Sequence, residues 1–386
     1  MTTIVVSGAL ANKPRNGGEA WVRMTWVAGL RRLGFDVWFV EQISRDLLDQ
    51  DATTDNTPGN APHLAFFQEV AKRFGLEDRC SLVDENGACI AGRSLKDLAE
   101  VASEAALLVN ISGNLSLEPL FDRFRCKAFI DLDPGFTQFW HAAATNGARL
   151  SGHDHYFTVG LNVGRASSPV PTCGIHWHPL APPVLLSEWP ICEGDRETLT
   201  TIASWRGSFG AIEHEGRTYG LKVHEFRRFI DLPERVPQRL EIALDIHPAD
   251  NTDLNALRDR GWNIVDPRRA VPDPDAYRRY IQGSGAEFSV AQGIYVETHS
   301  GWFSDRTVQY LASGKPTLVQ ETGFSRTLPS GEGLVGFRTF EEAVAGARSI
   351  ASDYELHNRA ARCIAEEYFD SDKVLGHFLE EVEVAA

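Results

Sequence analysis

Along this chain, continuous apolar runs ending in small or acidic residues alternate with segments whose apolar positions recur every three to four residues. Residues 3–8 (TIVVSG) show no polar alternation, as expected of a parallel strand buried on both faces. Residues 12–19 are polar and include Asn16-Gly17-Gly18. Residues 21–33 then set Val22, Trp26, Val27 and Leu30 on one helical face and stop at Gly34, and residues 35–41 read as the next strand. Helical patterns follow at 63–74 and 94–105, with strands at 106–111, 127–133 and 156–160. The polar stretch 44–62 reads as a surface loop and a candidate lid. Residues 179–197 are proline-dense and lack helical periodicity, which marks a linker. Beyond them, strands at 199–204, 239–247, 261–265, 288–291 and 317–320 alternate with helices at 254–260, from 277 and from 304. Helical patterns at 340–350, 354–368 and 373–384 close the chain. Strand–helix alternation on both sides of a linker predicts an α/β protein of two parallel-sheet units, 1–185 and 198–368, with 186–197 between them and 369–386 as a tail.

Composition adds limits to this outline. A length of 386 residues exceeds what one hydrophobic core usually supports, and 43% hydrophobic content leaves material for two buried sheets. A formal net charge of −15 argues against a partner that is a nucleic-acid polymer, since that affinity comes from neutralising phosphates. The six cysteines, at 80, 89, 126, 173, 192 and 363, form no Cys-x-x-Cys pair, so neither a zinc site nor a disulfide framework is expected. The first strand–loop–helix unit lacks Gly-x-Gly-x-x-Gly, which disfavours a nicotinamide or flavin cofactor. Met1-Thr2-Thr3 runs straight into a strand with no basic and apolar leader, and no stretch is long enough to span a bilayer, so the expected compartment is the cytoplasm.

The most informative stretch is 287–337. An apolar run at 288–291 leads to the turn His299-Ser300-Gly301, a helix opens near Ser304, Gly314-Lys315-Pro316 stops it, and 317–320 is a strand. The amides of Ser300, Gly301 and the first helical turn are expected to converge on one spot, where unpaired N–H groups and the positive end of the helix dipole suit a phosphate.

Within that stretch, His-Ser-Gly-Trp-Phe-Ser at 299–304 resembles the His-Cys-Gly-Trp-Asn-Ser signature of GT-B glycosyltransferases, and Leu-Ala-Ser-Gly-Lys-Pro at 311–316 is of the kind found after the same helix. Gln320-Glu321-Thr322-Gly323-Phe324 resembles a bacterial branch of that family. The resemblance implies two Rossmann-like domains facing a cleft, a last helix crossing back to the first domain, and transfer of a sugar from a nucleoside-diphosphate donor to a small-molecule acceptor without a metal or a further cofactor. It assigns His299, Ser300, Gly301 and Ser304 to the donor diphosphate. Arg206 and Lys222 resemble the basic pair that neutralises the same group. Val271 in the loop after a strand would meet the base through its backbone, and Glu321, Thr322 and Gly323 the ribose or sugar. This chain departs from the pattern in lacking the Glu-x7-Glu pair of many retaining members, with Gly301 and Gln309 near those places. That tilts the expectation towards inversion. A nucleotide-sugar epimerase or a sugar phosphorylase of the same fold, or a non-catalytic nucleotide-sugar-binding protein, would share the donor features.

The first unit holds the candidates for chemistry. Asp131 and Asp133 sit at a strand's C-terminal end, outside which ligands bind in open α/β sheets. Either is a candidate general base or the cap of the Asp-Pro-Gly turn, and Asp133 is the first choice of base, with His155 second. His153, Asp154 and His155 lie at alternating positions of an extended segment and converge poorly on a metal. Gly17, Gly18 and Glu19 are candidate acceptor or sugar contacts, or simply shape their turn.

Overall fold

A computed structural model describes residues 1–50, 62–145, 147–207 and 209–386. The candidate lid falls partly on residues 51–61, outside the described residues, and its flanks are the helices Arg45–Gln50 and Pro62–Arg73.

The first sheet contains β1 (Thr3–Ser7), β2 (Asp36–Ile43), β3 (Cys80–Asp84), β4 (Cys89–Ala91), β5 (Leu107–Ile111), β6 (Lys127–Asp131), β7 (His155–Thr158) and β8 (Trp177–Pro179). Its order is β4-β3-β2-β1-β5-β6-β7-β8, parallel except for the antiparallel β3–β4 pair at one edge. The second half contributes β9 (Asp195–Ser204), a hairpin of β10 (Ile212–His214) and β11 (Arg217–Tyr219), then β12 (Arg239–Asp245), β13 (Asn263–Val265), β14 (Ser284–Ser289), β15 (Thr317–Gln320) and β16 (Leu334–Phe337). Its six-stranded sheet runs β13-β12-β9-β14-β15-β16, all parallel. In both sheets the first strand lies inside the sheet, with the next strands (β2, β3 and the antiparallel β4; β12 and β13) on one side and the later ones (β5 to β8; β14 to β16) on the other. That is the doubly wound order, with its crevice where the winding reverses. The centre of each sheet is apolar because it is covered on both faces: Ile4, Val5 and Val6, and Leu240, Ile242 and Ala243, are at most 1% exposed.

Several elements were not legible from the pattern. Strands β3 and β4 and the β10–β11 hairpin were not anticipated. The strand expected at 288–291 lies earlier, as β14, because Ser284, Gly285 and Glu287 are buried polar or small positions that a hydropathy reading passes over. A short helix, Gly293–Glu297, separates it from the His299 turn.

The chain leaves the first sheet after Pro179 and returns near residue 370, where Val184 and Asp370 form a parallel bridge. The last helix, Ser371–Glu381, packs on the helix Gly17–Arg32 of the first half. Phe378 meets Trp26 edge-on at 5.1 Å and Phe157 at 4.8 Å, and Arg32 pairs with Asp372 at 3.0 Å. Among the described residues no helix is long and apolar enough to cross a membrane, and all six cysteines are free.

Candidate functional site

The loops at the C-terminal ends of both sheets enclose a cleft of about 590 Å³. From the first half come Asn12–Asn16, Gly18, Glu19 and Arg23 after β1, Ser112 after β5, and Leu132 and Asp133 after β6. From the second come Ser204, Lys222, Asp245, Pro267, Arg268, Val271, Tyr277, Trp302, Ser304, Asp305 and Arg306. Ser204, Asp245, Pro267 and Arg268 also line a longer groove of about 1000 Å³ running over the ends of β9, β12 and β13. Cleft and groove are therefore one continuous depression.

One wall of the cleft is the start of the helix Asp305–Ala312. Ser304, at its N-cap, makes no side-chain capping bond, so the first-turn amides retain their capacity to bind an anion. Arg306 is fixed beside it, donating to Glu287 at 2.6 Å, the Ile202 carbonyl at 2.7 Å and Ser289 at 2.8 Å. Lys222 opens the helix Lys222–Phe226, whose first amide donates to Gln292 at 2.6 Å. Burial, and then the positive charge of Arg306, push the Lys222 ammonium down to about 7.

The opposite wall sets the carboxylates of Glu19 and Asp133 among the basic Lys13, Arg15 and Arg23. Asp131 is buried and fully engaged: its oxygens accept from Thr137 (2.7 Å), Gln138 (2.8 Å), Thr158 (2.7 Å) and the Asp133 amide (3.0 Å). It fixes the turn. Asp133 projects into the cleft and accepts one hydrogen bond, 2.9 Å from the Tyr295 hydroxyl of the other half. Burial, with Asp131 and Glu19 nearby, pushes its carboxyl up to about 6 against the opposing pull of Tyr295 and Arg23. Glu19 pairs with Arg23 one helical turn on, and back on the helix wall burial pushes the Asp305 carboxyl up to about 6.

The cleft thus gathers Asp133, Lys222, Ser304, Gly18, Glu19 and Val271 from the residues singled out in the sequence. Others it does not collect. His155 begins β7 and so lies at the end of the sheet away from the cleft, which corrects its standing as second choice of base. Arg206 is exposed and turned onto Asp250 by two bonds of 2.8 and 2.5 Å. It lines the groove, and the cation beside Lys222 is Arg306. The expected convergence of amides at 300–301 is also corrected: the Gly301 amide donates to the Thr322 carbonyl at 2.8 Å and the Trp302 amide to Ser300 Oγ at 3.3 Å. Only the helix start four residues on remains open.

The turn at 299–301 instead receives the first half. Asn162 donates through its side chain to the His299 and Gly323 carbonyls, both at 3.0 Å, and its amide donates to the Ser300 carbonyl at 2.9 Å. Gly301 (φ +75°) and Gly323 (φ +95°) press against Asn162, and both backbone angles are ones a side chain would strain. His299 is exposed and does not line the cleft. Thr322 donates to the Trp302 carbonyl at 2.6 Å. Glu321 accepts from the Gly323 amide at 2.7 Å and faces Arg338 at 3.4 Å, so its carboxylate is occupied by its own turn. Val271 offers the cleft its side chain, since its amide donates to Pro267 and its carbonyl accepts from Gly17. Gly17 is an interdomain contact: its amide makes that bond at 3.1 Å, and Trp21 Nε1 donates to the Pro274 carbonyl at 2.8 Å close by.

Arg23, Tyr295, Asp305, Arg306 and Asn162 were missed. Arg306 stood two residues after the 299–304 signature and Arg23 four residues after Glu19, the spacing of a helical ion pair. Nothing local distinguished Tyr295 or Asn162, whose partners lie 162 and 137 residues away.

No protein-family model and no curated protein matches the sequence. The fold does match solved structures along its whole length. An alpha-glucosyltransferase in complex with UDP aligns with a TM-score of 0.61 at 10% identity over 100% of both chains. HepE from Anabaena in complex with UDP and glucose aligns at 0.59 and 11% identity, over 99% of this chain and 100% of that one. Sucrose-phosphate synthase from Thermosynechococcus elongatus aligns at 0.55 and 11%, over 99% of each. This likeness shows the GT-B fold.

Proposed function

We propose that this protein is a glycosyltransferase that moves a sugar from a nucleoside-diphosphate donor to a small hydroxylated acceptor, with inversion and without a metal ion. The observation that carries the reading is the pairing of walls across one cleft: an uncapped helix start with Lys222 and Arg306 on one side, and the Asp133 carboxylate on the other. Fold neighbours hold UDP, which makes UDP the first nucleotide to test.

In the proposed reaction the bond between the anomeric carbon and the diphosphate oxygen breaks, and its electron pair leaves with the diphosphate. Charge grows on that leaving group as the sugar gains oxocarbenium character. The helix amides and Lys222 meet that charge in place of a divalent ion. A Lys222 poised near neutrality takes up a proton when the anion arrives, so donor binding and charge neutralisation are coupled. Asp133 accepts the acceptor's hydroxyl proton as the new carbon–oxygen bond forms on the opposite face. Arg306, held on Glu287, Ser289 and Ile202, supplies fixed positive potential without having to reorient.

A solved alpha-glucosyltransferase also carries a 13-mer DNA. For this chain a small acceptor is favoured by the net charge of −15, which repels a polyanion.

The test is thermal shift with UDP, with and without chelator, followed by transfer assays. UDP at about a hundredfold over its Kd should stabilise the protein by roughly 2.7 kcal/mol in chelator as in its absence. Loss of the shift in chelator refutes metal independence. Donor turnover without an acceptor points to an epimerase or hydrolase, phosphate-dependent product to a phosphorylase, and binding without any turnover to a non-catalytic binder. A product that keeps the donor's anomeric configuration refutes inversion.

A further inference from the structure

Two cations on the first-half wall of the cleft have no part in the reaction described above. Lys13 and Arg15 line the cleft from the loop between β1 and the helix Gly17–Arg32. Among the described residues neither side chain has a hydrogen-bond or ion-pair partner. The carboxylates of the same wall are engaged elsewhere, Glu19 with Arg23 and Asp133 with the Tyr295 hydroxyl. Lys13, Arg15 and Arg23 against Glu19 and Asp133 leave this wall one positive charge in excess even with both carboxylates ionised. The loop that carries the two cations is fixed. Glu41 of β2, 0% exposed, accepts from the Ala11 amide at 2.6 Å through one oxygen and from the Asn12 amide at 2.9 Å through the other. The Lys13 amide donates to the Leu10 carbonyl at 3.0 Å, and the Asn16 side chain accepts from the Glu19 amide at 3.2 Å. Arg15 has φ +57°, an angle that glycine takes without strain and that costs a residue with a side chain. A buried carboxylate and a strained backbone thus hold two unpaired cations at a set place in the cleft.

Pre-positioned cations without a partner in the protein suit an anionic group that arrives with a ligand. The donor's diphosphate is met from the opposite wall, by the helix start at Ser304 with Lys222 and Arg306. Lys13 and Arg15 stand instead on the wall of Asp133, the side from which the acceptor's hydroxyl is deprotonated. Resting on the glycosyltransferase reading, we propose that the acceptor is itself an anion, whose single carboxylate or phosphate group is received by Lys13 and Arg15 while its hydroxyl faces Asp133. The net charge of −15 does not oppose this. Exposed charges more than about 8 Å apart are largely screened at physiological ionic strength, so one anionic group responds to the local pair, whereas a polymer meets the whole surface.

Calorimetry on the full chain saturated with UDP tests this. Glucose, glucuronate and glucose phosphorylated on its primary hydroxyl are titrated in turn. At least one of the two anions should bind about tenfold or more tighter than glucose, as expected of one charge-assisted hydrogen bond. The anion that shows the preference tells carboxylate from phosphate. Raising salt from about 0.05 to about 0.5 M should shrink the gap, since exposed charges are screened. The double variant Lys13→Gln/Arg15→Gln should cut the preference to below about threefold and keep UDP affinity within about threefold of wild type. Equal affinities for the three sugars while UDP binds, or a preference that survives the double variant, overturn the anion proposal alone. Loss of UDP affinity in a double variant that circular dichroism shows to be folded assigns the pair to the donor diphosphate and overturns it too. So does a tenfold preference for UDP-glucuronate over UDP-glucose, which assigns the pair to the donor sugar. Failure of the wild type to bind UDP overturns the donor reading and this inference with it.

Discussion

If Asp133 is the base, the acid limb of the pH–rate profile belongs to its carboxyl and moves with the one hydroxyl that touches it. With that carboxyl held at about 6, the ionised fraction is roughly nine-tenths at pH 7 and one-tenth at pH 5. The limb of kcat/KM, which reports the free enzyme, should therefore fall about tenfold per pH unit below 6. Tyr295 donates to the carboxylate at 2.9 Å and so stabilises its ionised form. A hydrogen bond to a charged group contributes about 1.5–3 kcal/mol, and each pH unit corresponds to about 1.4 kcal/mol. Tyr295→Phe should therefore move the acid limb upward by roughly one to two units while leaving the rate above pH 9 close to wild type. Asp133→Asn should lower transfer by about a hundredfold or more above pH 7, the gap closing as wild type loses its own base at low pH, and keep UDP affinity. Stability separates this from a structural role. A carboxyl raised in the folded state adds stability that is complete below its unfolded value of about 3.9 and is lost as pH rises through about 6. Asp133→Asn should consequently be at least as stable as wild type at pH 8 by urea denaturation. An unshifted limb in Tyr295→Phe, or transfer within tenfold of wild type in Asp133→Asn, refutes the assignment.

Two further outcomes test the supports of the site. Asp131→Ala strands the donors that now converge on it and should destabilise by about 2–5 kcal/mol in urea, a loss that Asp133→Asn does not share. Arg306→Met leaves Glu287 as an unpaired buried charge and should cost about 3–5 kcal/mol, whereas Arg306→Met/Glu287→Leu should recover most of that stability without recovering transfer. A double variant no more stable than the single one would show that the pair is not coupled as its geometry implies.

The sequence by itself determined that strands such as β1, β2, β5 and β6 are buried and alternate with helices, because continuous apolar runs are local facts. It also determined that a helix opens at Ser304 between two strands, and that carboxylates sit at the end of β6. It could not decide which polar groups in those loops stay free. Asp131 and Asp133 look equivalent in Asp-Leu-Asp, and only the packing of Thr137, Gln138 and Thr158 around Asp131 leaves Asp133 open to the cleft. Arg206 and Arg306 are both basic residues near strand ends. Asp250 turns the first away, while Glu287, buried at 0% exposure, draws the second in beside Lys222. The turn at His299-Ser300-Gly301 has the local form of an anion site, yet Asn162 and Thr322 occupy its backbone groups from distant parts of the chain. Hydrogen-bonding capacity is written in the residues, but its use depends on which partners folding brings within 3 Å, and those partners are non-local.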